Sequence, residues 1–86
     1  MEGYVYLLLS KKDKKTYLGS TDALERRLTE HNYGKCKSTR NRRPLRLIYK
    51  EEYETLNKAR IREKYLKSRK GRKELKNIFE NLNIGE

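Results

Sequence analysis

Residues 4–10 (Tyr-Val-Tyr-Leu-Leu-Leu-Ser) form the short aromatic and apolar run around which this very polar chain must organise its core. They read as a buried strand that ends in the polar turn 11–15. Charged residues make up 41% of the chain and hydrophobic residues 34%, a balance that by itself leans towards disorder. The apolar residues are nevertheless gathered into short periodic runs, and no long Pro, Gly or Ser tract dilutes them, which predicts a folded protein. Eighty-six residues make one domain, residues 1–86. A domain of this size buries only roughly 60–65% of its unfolded surface, so its core must be economical.

Further elements follow from the spacing. Residues 16–20 supply a second strand ending at Gly19, which closes an antiparallel hairpin. Asp22 with Glu25 three residues on has the form of a capping box for a helix running to about Tyr33, with Gly34 as its stop. A basic loop over 35–43 has room for a helical turn. Pro44 starts a third strand over 45–53. Thr55 caps a long helix over 56–69, and Gly71 breaks it before a last helix that runs to about Leu82. The order is β-β-α-β-α-α, an α+β fold with a three-stranded antiparallel sheet flanked by helices.

The net charge of +11 is unevenly spread. Residues 1–34 carry six basic and five acidic side chains, whereas residues 35–76 carry seventeen basic and five acidic. A field concentrated in this way focuses on a polyanion, and nucleic acid is the partner it fits best. An anionic membrane fits less well, because no stretch pairs a basic face with a Trp- or Phe-rich apolar one. No run approaches the roughly 20 apolar residues that span a bilayer, and residues 1–10 lack the marks of a signal peptide. The single Cys36 and single His31 cannot make a structural zinc site or an internal disulfide, and a cytoplasmic location is expected.

Three patterns point to chemistry. If the hairpin turns at Lys12-Asp13, Tyr6 faces Gly19 and Leu8 faces Tyr17, which puts Tyr6 and Tyr17 diagonally adjacent on one face of the sheet. Two such phenols can bind phosphate oxygens, orient a water or act as an acid/base pair. They can also be ordinary strand aromatics. On the first helix, Leu24, Arg27, Leu28 and His31 share a face, so a guanidinium sits in an apolar stripe. A phosphate suits its fork, although a structural Arg with a carboxylate partner has the same pattern, and a lone His there is more often a satisfied core residue. On the second helix, Leu56, Ala59, Glu63 and Leu66 share a face. An inward Glu63 wants Arg27 or a metal ion as partner, the alternative being a surface ion pair with Lys67 one turn on. Ile61 and Tyr65, on the opposite side, are expected to meet the last helix. Between these elements, Lys35, Lys37, Arg40, Arg42, Arg43 and Arg46 make half of the twelve residues 35–46 cationic, with Ser38, Thr39 and Asn41 as neutral donors. These residue types contact phosphates and position a protein on a nucleic-acid backbone.

Together these segments resemble the GIY-YIG nuclease domain. Its first motif corresponds to Tyr4-Val5-Tyr6 and its second to Tyr17-Leu18-Gly19. Its arginine helix corresponds to Leu24-Glu25-Arg26-Arg27-Leu28 through His31-Asn32, and its glutamate helix to Ala59-Arg60-Ile61-Arg62-Glu63 with Leu66-Lys67. Gly34-Lys35, Thr39-Arg40 and Arg43-Pro44 are similar to the short bacterial stand-alone members, relatives of the excision-repair nuclease UvrC. The likeness covers residues 3 to about 79, with Tyr4 where the first motif has Gly and Asn77 as the nearest match to a late Asn of active members. It implies hydrolysis with one divalent metal. Glu63 would hold Mg²⁺ or Mn²⁺, Tyr6 would orient or deprotonate the attacking water with help from Tyr17, and Arg27 and His31 would complete the catalytic set. A tyrosine base, eased by Arg27 and a metal-bound water, implies faster turnover at mildly alkaline pH. DNA is expected over RNA, with DNA repair as the setting. The rival readings are a non-catalytic module for structured RNA or branched DNA, and a nuclease subunit that needs a protein partner.

Overall fold

The computed structural model describes residues 2–82. The chain runs β1 (Gly3–Ser10), β2 (Thr16–Thr21), α1 (Leu24–Asn32), a 3₁₀ turn (Arg40–Arg42), β3 (Leu45–Tyr53), α2 (Leu56–Lys67) and α3 (Arg69–Asn81). The strands form one antiparallel sheet in the order β2-β1-β3. The most apolar strand, β1, thus takes the centre, where both its neighbours and both its faces are covered.

Alternation along β1 sends its side chains to two cores. Val5 and Leu7 join Leu18, Ala59 and Leu66 under α2 and α3, and Leu75, Ile78 and Phe79 of α3 pack against them. Tyr6 and Leu8 join Leu45 on the other face, with Tyr17, Leu47 and the α1 residues Leu24 and Leu28 around them. The hairpin has the expected register, Tyr6 opposite Gly19 and Leu8 opposite Tyr17. Its turn is tied down by the buried Ser10, whose Oγ accepts from Lys12 N and Asp13 N and donates to the Arg42 carbonyl at 2.6 Å.

The structure corrects three local expectations. Asp22 does not cap α1. The N-cap is Ala23 with no side-chain bond, Thr21 Oγ1 accepts from Ala23 N, and Asp22 instead reaches Arg26 at 3.3 Å. Gly71 does not break the second helix either. α2 ends at Lys67, Ser68 caps α3 by accepting from Gly71 N, and Gly71 lies buried in the first turn of α3. A Cβ at Gly71 would collide with the Tyr65 carbonyl, so the glycine is there for close helix packing. The side chains of Ile61 and Tyr65 are exposed and not buried under α3, the residues being 61% and 41% exposed, with the Arg62 guanidinium over the Tyr65 ring. Thr55 does cap α2, accepting from Lys58 N.

A polar network that no sequence pattern announced joins β3, α2 and α3. Glu51 accepts from the Tyr49 hydroxyl at 2.5 Å, the Tyr53 hydroxyl at 2.6 Å and both arms of Arg62 at 2.9 and 3.2 Å. Arg62 also pairs with Glu74 of α3. Burial pushes the Glu51 carboxyl up, but Arg62 and the two phenols outweigh it and hold its pKa below the ordinary value. Because the folded pKa is depressed, the network stabilises the fold above the unfolded Glu pKa of about 4.3 and loses that contribution as pH falls through the folded value. Glu51→Gln should cost about 2 kcal/mol at neutral pH, somewhat less than a fully buried pair, and lower Tm by roughly 10 °C. The deficit relative to wild type should shrink as pH falls below the unfolded Glu pKa of about 4.3 and through the depressed folded value, where the wild-type carboxyl protonates as well. Thermal melts across pH check this.

Candidate active site

On the α1 face of the sheet, Tyr6, Tyr17 and His31 form one aromatic cluster. The ring centroids lie 6.4 Å apart for Tyr6–Tyr17, 5.8 Å for Tyr6–His31 and 5.1 Å for Tyr17–His31. Gly19 makes room for it: a Cβ there would stand 2.5 Å from the Tyr6 hydroxyl oxygen. The Tyr6 hydroxyl is 3.0 Å from His31 Nε2, and His31 Nδ1 is 2.7 Å from Thr39 Oγ1. His31 and Thr39 are fully buried. Thr39, expected among the phosphate contacts of the basic loop, instead orients the histidine from inside the protein. Its eight-residue separation from His31 spans a loop and leaves no periodic trace.

Burial raises the Tyr6 pKa to about 12, and the neighbouring Arg27 guanidinium only partly offsets this. The lowering that a tyrosinate base needs is therefore outweighed. Burial also lowers the His31 pKa, and Arg27 lowers it further, so the imidazole is neutral at pH 7 and able to accept a proton. Arg27 is 36% exposed and pairs with Glu30 at 3.2 Å. Contact with the Tyr6 hydroxyl raises its own pKa.

Glu63 stands on the other side of edge strand β2. Its Oε1 accepts from Ser20 Oγ, and its Oε2 lies 2.6 Å from Lys67 Nζ. Its ion-pair partner is therefore Lys67 and not Arg27, and its side chain keeps 21% exposure. Gly19 and Ser20 are consecutive in β2, so alternation puts Tyr17 and Gly19 on the α1 face and Ser20 on the α2 face. Among the described residues no group of three His, Cys, Asp or Glu side chains could hold a metal ion. A lone, partly exposed carboxylate fixed by Ser20 nevertheless fits Mg²⁺, which keeps most of its waters and completes its shell with phosphate oxygens. Lys67 would have to yield its place on Oε2.

The basic loop folds onto the site through the buried Cys36 and Thr39. Lys35, Lys37, Arg40 and Arg43 are exposed around it. Two of the predicted phosphate contacts lie elsewhere. Arg42 pairs with Asp13 at 2.8 Å and donates to the Thr16 carbonyl, locking the hairpin turn. Arg46 alternates with Leu45 and Leu47 of the Tyr6 cluster, which sends it to the opposite face of β3. Asn77 is exposed on α3. Asn32 bridges instead, clamping Leu45 through Oδ1 at 2.8 Å and Nδ2 at 3.0 Å.

This is a small α+β domain with a tyrosine–histidine cluster on one face of its hairpin and a carboxylate held by Ser20 on the other. The GIY-YIG catalytic domain matches residues 2–77, and the chain belongs to that family of nuclease domains. A UPF0213 protein of Clostridium perfringens is 45% identical over 65 residues, 74% of this chain and 69% of the relative. One from Syntrophus aciditrophicus is 38% identical over 82 residues, 93% of each chain. The solution NMR structure of the UPF0213 protein BH0048 from Bacillus halodurans superposes with a TM-score of 0.53 at 34% identity, covering 91% of this chain and 85% of that one. The α+β fold and the likeness to short single-domain members agree with these matches. The family supports an endonuclease-type function on nucleic acid. Among the described residues no helix is long and apolar enough to cross a membrane.

Proposed function

We propose that the protein is a metal-dependent endonuclease that hydrolyses phosphodiester bonds in DNA, branched or single-stranded, using one Mg²⁺ or Mn²⁺ ion in the cytoplasm. One observation carries this reading: Tyr6, Tyr17 and His31 cluster on the α1 face of the hairpin with Arg27 against the Tyr6 hydroxyl, and Glu63 bonds Ser20 on the opposite face of the edge strand β2. A phosphodiester lying along that edge would meet both. The resemblance to excision-repair nucleases supports DNA over RNA as substrate and repair as the setting.

In this mechanism a water attacks phosphorus, the bond to the leaving oxygen breaks, and that oxygen takes up a proton from solvent. The water's proton passes to the Tyr6 oxygen as the Tyr6 proton passes to His31 Nε2, so no free tyrosinate is needed. Thr39 accepts from Nδ1–H, which leaves Nε2 with its lone pair towards Tyr6. Tyr17 flanks the water, and Arg27 donates to the equatorial phosphate oxygens as charge builds there. Glu63 would hold the divalent ion, which when bound would supply Lewis-acid polarisation of the phosphate.

Two measurements test it. Because His31 must be neutral, the single-turnover rate should rise as pH climbs through a value below the usual histidine pKa of about 6.5 and stay level through mildly alkaline pH. A rate that climbs without break to about pH 10 would give the proton to an ionising tyrosine instead. For binding, measured without metal so that nothing is cut, the log–log salt slope should be roughly −4 to −8. Replacing Lys35 and Lys37 together with Ala should flatten it by about 2, alike for all sequences. A slope near zero would refute backbone binding.

A further inference from the structure

Tyr33 is the most exposed large hydrophobic residue of the described chain, at 75%. It lies at the C-cap of α1, two residues beyond the buried His31. Gly34 turns the backbone with φ 78°, and this turn organises two arginines. Arg40 Nε donates to the Gly34 carbonyl at 3.1 Å, and Arg43 Nε donates to the Arg40 carbonyl at 2.9 Å. The Arg43 guanidinium also lies against Gly34, within 2.9 Å of where a Cβ would stand. Each guanidinium is thus held through Nε while both residues stay exposed, an arrangement that fixes a fork without spending its terminal N–H groups.

We infer that Tyr33, Arg40 and Arg43 form a nucleotide-binding unit: an unpaired base stacks on the Tyr33 ring while its phosphate is gripped by the arginine fork. The inference rests on the nuclease reading and deepens it, because it gives the substrate at least one unpaired nucleotide beside the site. The chemistry argues for a base over other ligands. An aromatic face beside fixed cations matches a flat π-system joined to a phosphate, and stacking is blind to base identity. A base kept inside a duplex offers only its edges and cannot take this place. The ring belongs to the helix that carries Arg27 and His31, so a base seated there holds its strand in a fixed register to the reacting groups.

The test uses a single-stranded oligonucleotide carrying 2-aminopurine, and the same sequence as a duplex, titrated in EDTA. Wild type should bind the single strand and quench the 2-aminopurine by stacking. Tyr33→Ala should lose most of the quenching and roughly 10-fold in single-strand affinity, the range expected for one stacked base. Its duplex affinity should stay within twofold, and Tyr33→Phe should behave as wild type in both. Arg40→Ala with Arg43→Ala should weaken the single strand while the residual complex still quenches. A Tyr33→Ala protein that binds and quenches like wild type, or that loses single strand and duplex equally, overturns the stacking unit alone. A wild type that binds neither nucleic acid overturns the nuclease reading, and this unit with it.

Discussion

Glu63→Gln should fold as wild type does, bind nucleic acid at least as tightly, and lose cleavage. The amide keeps the shape of the side chain and an oxygen for Ser20, but removes the charge that a divalent cation requires. Losing an outer-shell partner of a metal site typically costs about 10–100-fold, so losing the one carboxylate ligand should cost more than roughly 10²-fold. Stability should hardly move. The Lys67 contact is an exposed i, i+4 pair, worth about 0.3–0.5 kcal/mol. Affinity should hold or rise, because a negative charge near the phosphate has gone. If Glu63 serves only as the partner of Ser20 and Lys67, the mutant will keep wild-type turnover once corrected for folded fraction. Activity measured alongside a thermal melt and a binding curve separates the outcomes.

Arg27→Ala should reduce the single-turnover rate by about 10²–10³-fold, the usual loss when a donor to a developing oxyanion is removed. Affinity should change only a few-fold, since the basic loop carries most of the phosphate contacts. Arg27 is partly exposed, its ion pair with Glu30 lies on the same helix, and the Tyr6 hydroxyl it touches keeps His31 as a partner, so the variant should melt within about 1 kcal/mol of wild type. A variant that unfolds, or one that loses affinity and rate in equal proportion, would make Arg27 structural or a ground-state contact. His31 is a poorer probe. Its removal would leave the Tyr6 and Thr39 hydroxyls without their buried partner and confuse catalysis with stability.

Much of this was legible in the sequence because it rests on period and turn chemistry. The hairpin register followed from a polar turn between two apolar runs, and it alone brings Tyr6 and Tyr17 together. The helix period put Arg27 and His31 on the face that meets them. What stayed hidden depends on contacts between distant segments. Glu63 was legible as an inward carboxylate, but its contact with Ser20 spans forty-three residues. Thr39 looked like a surface donor in a basic loop until the fold buried it behind His31. Arg42 looked like its neighbours, yet the hairpin turn lies within its reach and takes it out of the surface field. Charge counts cannot separate a cation that awaits phosphate from one that already holds Asp13. Gly71 misled for a related reason, since a helix-breaking residue type is also the one that lets two helices touch.

The most direct test of the central claim is cleavage by the purified protein. End-labelled single-stranded, duplex and branched DNA, together with structured RNA, would be incubated with Mg²⁺, with Mn²⁺ and with EDTA, Glu63→Gln serving as the control. The account predicts cuts in single-stranded or branched DNA that require the metal and vanish in EDTA and in the mutant. Tight binding to the same substrates with no cut in either metal would contradict it, and would make this domain a nucleic-acid-binding module.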